Sequence, residues 1–290
     1  MSEFGPLGPS KTLKAFKMRI SKSLSYALSA SIILTLLAGC SGSNNAGGSS
    51  AFAPAVQTSG AQRLAAGDTP GGPLSKTMPP CPVVNGDVPL ASAASFAVLG
   101  GSTVTSTGLT ILHGNLGVSP GTSITGFGPG VVYGTMYAGG PVAAQAQDDL
   151  AIGYNFAAGR QNPTALPADI GGTTITPGLY NALTTLGITG TATLDGQNKK
   201  NSVFIFQIPD TLTTGVRSRV KLINKANACN VFWQVGTSAT LNSGSKFRGT
   251  IMAAVSISVS SGVKVRGRLL AESGAVTMID DRVNSLYLLK

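Results

Sequence analysis

Charge is scarce in this chain and leans one way: 11% of its 290 residues are charged, with 21 Lys and Arg against 11 Asp and Glu. Aromatic residues make up only 6%. So few large side chains do not fill an ordinary helical core, and 38 glycines would break most helices that tried to form. A β architecture with many tight turns is what remains. One histidine, His113, and three cysteines without a CxxC spacing argue against a bound metal. The acids Asp148, Asp149, Asp169, Asp195, Asp210, Glu272, Asp280 and Asp281 are scattered, whereas β-helical enzymes that cleave glycans cluster their carboxylates. Neither a catalytic residue nor a cofactor is expected, and His113 has no nucleophile motif beside it.

A long apolar run occurs once, near the start. From Met18 the chain reads MRISKSLSYALSASIILTLLAGC, with Arg19 and Lys22 ahead of an apolar stretch too short for a comfortable membrane span. Small residues then lead to a cysteine, so residues 1–39 read as an export signal with its true start at Met18. Leu37, Ala38, Gly39 and Cys40 resemble the lipobox of bacterial lipoproteins, which makes Cys40 a lipidation site; a plain secretory signal cut nearby is the alternative. Cleavage there removes five of the 21 basic residues and one of the 11 acidic ones, leaving 16 and 10, a net +6. Export implies an oxidising compartment, in which Cys81 and Cys229 are expected to form a disulfide; two buried thiols are the alternative. Residues 40–80 are rich in Gly, Ser and Pro without an apolar period, the composition of a flexible tether, so the folded domain is placed at 81–290.

What that domain has in abundance is repetition. An apolar residue, any residue and a glycine precede a new strand in LHGNL, VYGTM, ITGTA, FRGTI and VRGRL, with spacings of 20 from Gly114 to Gly134 and 18 from Gly249 to Gly267. That period is the mark of a β-solenoid, three strands to a coil. The first strand column, VFIFQI, NVFWQV, TIMAA and RLLAE, is apolar on both faces and must be covered outside as well. The cover is a helix about residues 140–160, with Val142, Ala146, Leu150, Tyr154 and Ala157 as its apolar stripe.

A second column alternates with period two. Val104, Ile124, Leu212, Ala239, Ile257 and Val276 point inward; Thr103, Thr105, Ser123, Thr125, Thr211, Thr213, Ser238, Thr240, Ser256, Ser258 and Thr277 point out. A third column is basic: Arg219 and Lys221, Lys246 and Arg248, Lys264 and Arg266. It is either a solvated face or an attractor of anionic polymers. The segments TTITP at 173 and GTATLDG at 190 fit no column from sequence.

FAVLGGSTVTSTG, GNLGVSPGTSITGF, AAQAQDDL, VFIFQI, ACNVFWQVG and GRLLAESGAVT resemble the microbial ice-binding (antifreeze) proteins, over roughly Ser92 to Asn284. The resemblance implies a mainly β fold: a right-handed three-sided discontinuous β-solenoid with one long α-helix packed along one side, its first coils meeting its last. It implies an ice crystal surface as partner, bound through one flat face, with thermal hysteresis and inhibited recrystallisation as the outcome. The eleven hydroxyl residues above are the expected ice-binding positions. Expected besides are a monomer, membrane contact only through a lipid at Cys40, no nucleic acid, and a location outside the cytoplasm, anchored or released. The alternative is a surface adhesin or anionic-polymer-binding module using the basic column.

Overall fold

The computed structural model describes residues 88–285; the export signal, Cys40, the tether and Cys81 lie outside the described residues. Every strand pairing in it is parallel, and each coil stacks on the next in register. Lys246–Ala253 and Lys264–Ala271, for example, pair residue for residue from Lys246↔Lys264 to Ala253↔Ala271. Midway through both strands, at Gly249 and Gly267, the chain turns from one face to another with φ of 107° and 142°, a conformation other residues adopt only with strain. A Cβ on Gly267 would also collide with the carbonyl of Gly249 beneath it. The FRG/VRG repeat is therefore a stacked corner.

Three faces result. The helix-covered face runs, in spatial order, through Met136–Ala138, Asn115–Val118, Phe96–Gly100, the second halves of Lys264–Ala271 and Lys246–Ala253, Val231–Val235, Phe204–Ile208, Gly178–Ala182 and Thr164–Leu166. The first coils thus lie against the last coil, with Val98 paired to Leu269 and Val104 to Val276. The helix Pro141–Ala158 carries the chain from the strand Met136–Ala138 at one edge of this face to Thr164–Leu166 at the other, which is what makes the solenoid discontinuous.

Two apolar layers hold the fold. Inside the coils, side chains of all three faces meet, among them Val104, Leu194, Ile251, Ile257 and Leu269, all fully buried. An aromatic ladder rises through this interior: Tyr180 on Phe206 at 5.6 Å, and Phe206 on Trp233 at 4.0 Å and 9°. The second layer lies outside the sheet, where Phe96, Leu99, Ile205, Phe232, Met252 and Leu270 are covered by Ala146, Leu150 and Ala157 of the helix and by Val88, Leu90 and Ala93. These strands are buried on both faces, as their unbroken apolar runs require.

The helix stripe differs from expectation at one end. Val142 is 46% exposed, and the buried positions are Ala143, Ala146, Leu150, Gly153 and Ala157, spaced 3, 4, 3, 4. Small residues sit on that line because the helix lies close in: a Cβ at Gly153 would meet Leu90 Cδ2 and the Pro89 carbonyl at 3.0 Å each. Val142, one residue before the line begins, projects about 100° away from Ala143.

Candidate functional site

The alternating column forms one seven-stranded sheet. Its strands, in spatial order, are Leu186–Ile188, Leu212–Thr214, Ala239–Leu241, Ile257–Val259, Val276–Ile279, Thr103–Thr107 and Ser123–Thr125. Val104, Leu212, Ala239, Ile257 and Val276 are fully buried, and Ile124 packs against the same core. That inward set fixes the opposite side chains outward. Register then aligns one central row: Gly187, Thr213, Thr240, Ser258, Thr277, Thr105 and Thr125 are paired consecutively across the sheet. Six of those seven positions carry a hydroxyl, about 4.8 Å from one strand to the next. None of the six hydroxyls hydrogen-bonds to another described residue.

The neighbouring row is less uniform. Thr103 pairs with Ser123, while Thr211, Ser238 and Ser256 immediately precede their strands. Ser238 Oγ accepts a 3.3 Å hydrogen bond from the Ser256 amide, and Ser256 Oγ accepts one of 3.3 Å from the Ala275 amide. These two hydroxyls brace successive coils and keep their own O–H free to donate. Ala275 interrupts the row. All eleven hydroxyl residues singled out from sequence lie on this face, exposed or half-exposed, and none belongs to the buried set.

Two outward positions were not foreseen. Thr185 precedes the strand Leu186–Ile188, whose outward residue is Gly187, so that strand shows no hydroxyl-bearing alternation in sequence. Thr107 extends Thr103–Thr107 by one more outward position and pairs with Ile279, itself 42% exposed. The strand length that shows Thr107 follows from its pairing with Val276–Ile279, which sequence alone does not display.

No charged side chain lies in either hydroxyl row; the nearest acids sit at corners and are committed to the backbone or to a neighbouring hydroxyl. Asp210 accepts from Thr237 Oγ1 at 3.0 Å, and Asp280 from the Leu109 amide at 2.6 Å. Asp169 accepts from the amides of Gly171 and Thr189, and Asp195 from the Gln197 amide. Asp281 is fully buried and takes the amides of Val263 and Ile279, each at 2.8 Å; burial, its largest influence, pushes its carboxyl up to about 7. Asp149 binds the Ser92 amide at 2.9 Å. His113 stacks on Tyr133 at 4.6 Å.

The hydroxyl face is thus a parallel, in-register sheet without charge among its described outward rows, and the helix packs along another side. A sequence model described as ice-binding-like matches residues 98–284. The chain belongs to that family. It is 46% identical over 198 residues to a protein named ice-binding protein from Nostoc sp. (strain HG1), covering 68% of this chain and 73% of that one. Among solved structures, an ice-binding protein from an Antarctic biological consortium superposes with a TM-score of 0.67 at 41% identity, over 71% of this chain and 94% of the other. One from the Antarctic ascomycete Antarctomyces psychrotrophicus also gives 0.67, at 34% identity over 70% of this chain and 100% of its own. The fold read from sequence as a discontinuous solenoid with a flanking helix is the fold of this ice-binding-like chain.

The basic column gathers on the remaining face, beside the hydroxyl face. TTITP and GTATLDG, unplaced from sequence, belong here: Thr174–Ile175 and Thr191–Asp195 form its end strands, pairing as Thr193↔Thr174. Cys229 is disulfide-bonded, and its partner lies outside the described residues.

Proposed function

We propose that this protein adsorbs to ice through the seven-stranded hydroxyl face, and that thermal hysteresis and inhibition of recrystallisation follow. The observation that carries the reading is the central row from Thr213 to Thr125, six hydroxyls in strand register without a hydrogen-bond partner among the described residues. Each hydroxyl holds a water and each threonine methyl lies beside it. With hydroxyls about 4.8 Å apart along a row, from strand to strand, and the two rows about 6.7 Å apart along the strands, the bound waters take up a two-dimensional order before ice arrives. Individual contacts are weak, but a sheet welded to a close-packed core loses little entropy on binding. Adsorbed molecules then force the ice front to bulge between anchors, which lowers its local freezing point.

Thr240→Tyr tests the face. Thr240 sits mid-row between Thr213 and Ser258, and its strand neighbours Ala239 and Leu241 are fully buried, so the fold is retained while a ring stands proud of the plane. Thermal hysteresis is expected to fall severalfold with an unchanged circular dichroism spectrum. Full hysteresis in the folded variant removes this face from consideration.

The signal-like pattern that ends in Leu37, Ala38, Gly39 and Cys40 supports, for its part, an exported protein, held to the envelope by a lipid on Cys40 or released, and we propose that it acts as a monomer. With Cys40 committed to lipid, Cys81 is the partner of Cys229. Non-reducing peptide mapping of the mature protein should return a Cys81–Cys229 crosslinked pair; a Cys40–Cys229 pair rules out both the anchor and this bridge.

A further inference from the structure

We propose that the basic face is a second binding surface, whose ligand is a linear acidic polysaccharide lying along the solenoid axis. Register builds it. One row runs Arg282, Lys264, Lys246, Arg219, each paired with the next. The row beside it runs Tyr133, His113, Asn284, Arg266, Arg248, and the pairing of Arg219 with Lys246 brings Lys221 next in line. Seven cations therefore lie on four adjacent strands, about 4.8 Å apart between strands. Arg219, Lys221, Lys246, Lys264, Arg266 and Arg282 are exposed and Arg248 is half-buried. None forms an ion pair with a described residue.

Protection against edge-to-edge pairing does not account for them. Such charges belong on edge strands. Here the edge strands Val131–Tyr133 and Thr174–Ile175 carry none, and the cations fill the middle. Stacking like charges coil upon coil carries an energetic penalty: burial, together with the charges of Arg266 and Arg219, pulls the Arg248 guanidinium below its ordinary value. A ligand bearing an anion over each coil relieves that repulsion.

Shape selects the ligand class. The array is two side chains wide and four strands long, which suits a single extended polyanion. The second row continues past its cations to His113 and Tyr133, whose rings stack at 4.6 Å and 8°, with Tyr133 59% exposed. A flat aromatic edge in line with a cation row offers an apolar platform to a sugar ring while acid groups reach the arginines and lysines. The hydroxyl row occupies a different face, so both surfaces can be engaged together.

The test uses the purified protein with alginate, a linear polyuronate, as probe, and neutral dextran and phosphatidylglycerol vesicles as comparators. Wild type should bind alginate in dilute buffer, release it at high NaCl, and ignore dextran. Lys264→Ser with Arg266→Ser should weaken alginate binding by roughly fivefold per cation, about 25-fold together. Lys199→Ser with Lys200→Ser removes equal charge from a turn outside the rows and should cost far less. Recrystallisation inhibition should be unchanged in both, so that this idea and the ice reading stand or fall separately. Equal losses in the two double variants, or binding of dextran comparable to alginate, would overturn the proposal. Tighter binding to the vesicles than to alginate would also overturn it, in favour of a lipid surface.

Discussion

At the scale of single residues, the buried acid Asp281 is the most exacting. Both its oxygens accept backbone amides, from Val263 in one coil and Ile279 in the next turn, and its own amide donates to Thr110 Oγ1 in the first coils. Burial nonetheless raises its carboxyl from 3.8 to about 7. Between those values the folded chain holds a proton that the unfolded chain has lost, so this residue's contribution to stability is greatest below about pH 4 and declines as pH rises toward 7. Asp281→Asn removes the titration and sets an amide N–H against a backbone N–H, at a cost of about 1–3 kcal/mol. Melting temperatures from pH 4 to 8 should show wild type losing its advantage over the variant as pH rises. Parallel curves would mean that Asp281 does not titrate in this range. Nothing in the sequence singled out Asp281 from Asp280 beside it; only coil stacking buries one and exposes the other.

At the scale of elements, the helix and its sheet are joined by a seam of glutamines. Gln207 Nε2 is shared among the carbonyls of Ala157, Ala158 and Arg160 at 2.9, 3.1 and 2.9 Å, capping the helix C-terminus from a strand 47 to 50 residues away. Gln147 reaches the Ala271 carbonyl at 3.1 Å, and Gln234 donates to Tyr154 Oη at 2.9 Å. Gln207→Leu keeps the volume and strands those carbonyls. The expected cost is about 1–3 kcal/mol, which lowers Tm by roughly 2–4 °C per kcal/mol in a domain of this size. An unchanged Tm by calorimetry would show that water replaces the cap. The apolar run VFIFQI marked a strand covered on both sides, and the helix was legible from its period; the pairing of glutamine with helix end was not, because the two are far apart in sequence.

At the scale of the whole molecule, most solenoids unfold from their ends, since each repeat touches only its neighbours. Here the first coils close over the last: Phe96–Gly100 pairs with Lys264–Ala271, and Arg282–Asn284 lies between Lys264–Ala271 and Ile111–His113. The helix, together with Val88, Leu90 and Ala93, spans several coils. Unfolding in guanidinium chloride should therefore be a single transition, with Trp233 fluorescence and far-UV circular dichroism coincident. Trp233 is the sole tryptophan and sits in the central aromatic ladder, so a separate early loss of circular dichroism would reveal ends that fray independently.

The sequence by itself determined the coil period, the three chemistries of the strand columns, and the outward direction of eleven hydroxyls, though not of Thr107 and Thr185. Those are local properties: side-chain alternation along a strand and glycine at a corner need no knowledge of distant residues. Tertiary structure alone decided which residues of the first and last coils stand side by side. Thr277 of the last coil stands next to Thr105 of the first, so one hydroxyl row is assembled from chain segments 172 residues apart. Register, a property of the pairing rather than of either strand, likewise added Arg282 to the basic column read from sequence and set its cations in line with His113 and Tyr133. The reason is that a parallel sheet joins strands through backbone groups that every residue carries, leaving long-range neighbours to be chosen by how the whole core closes.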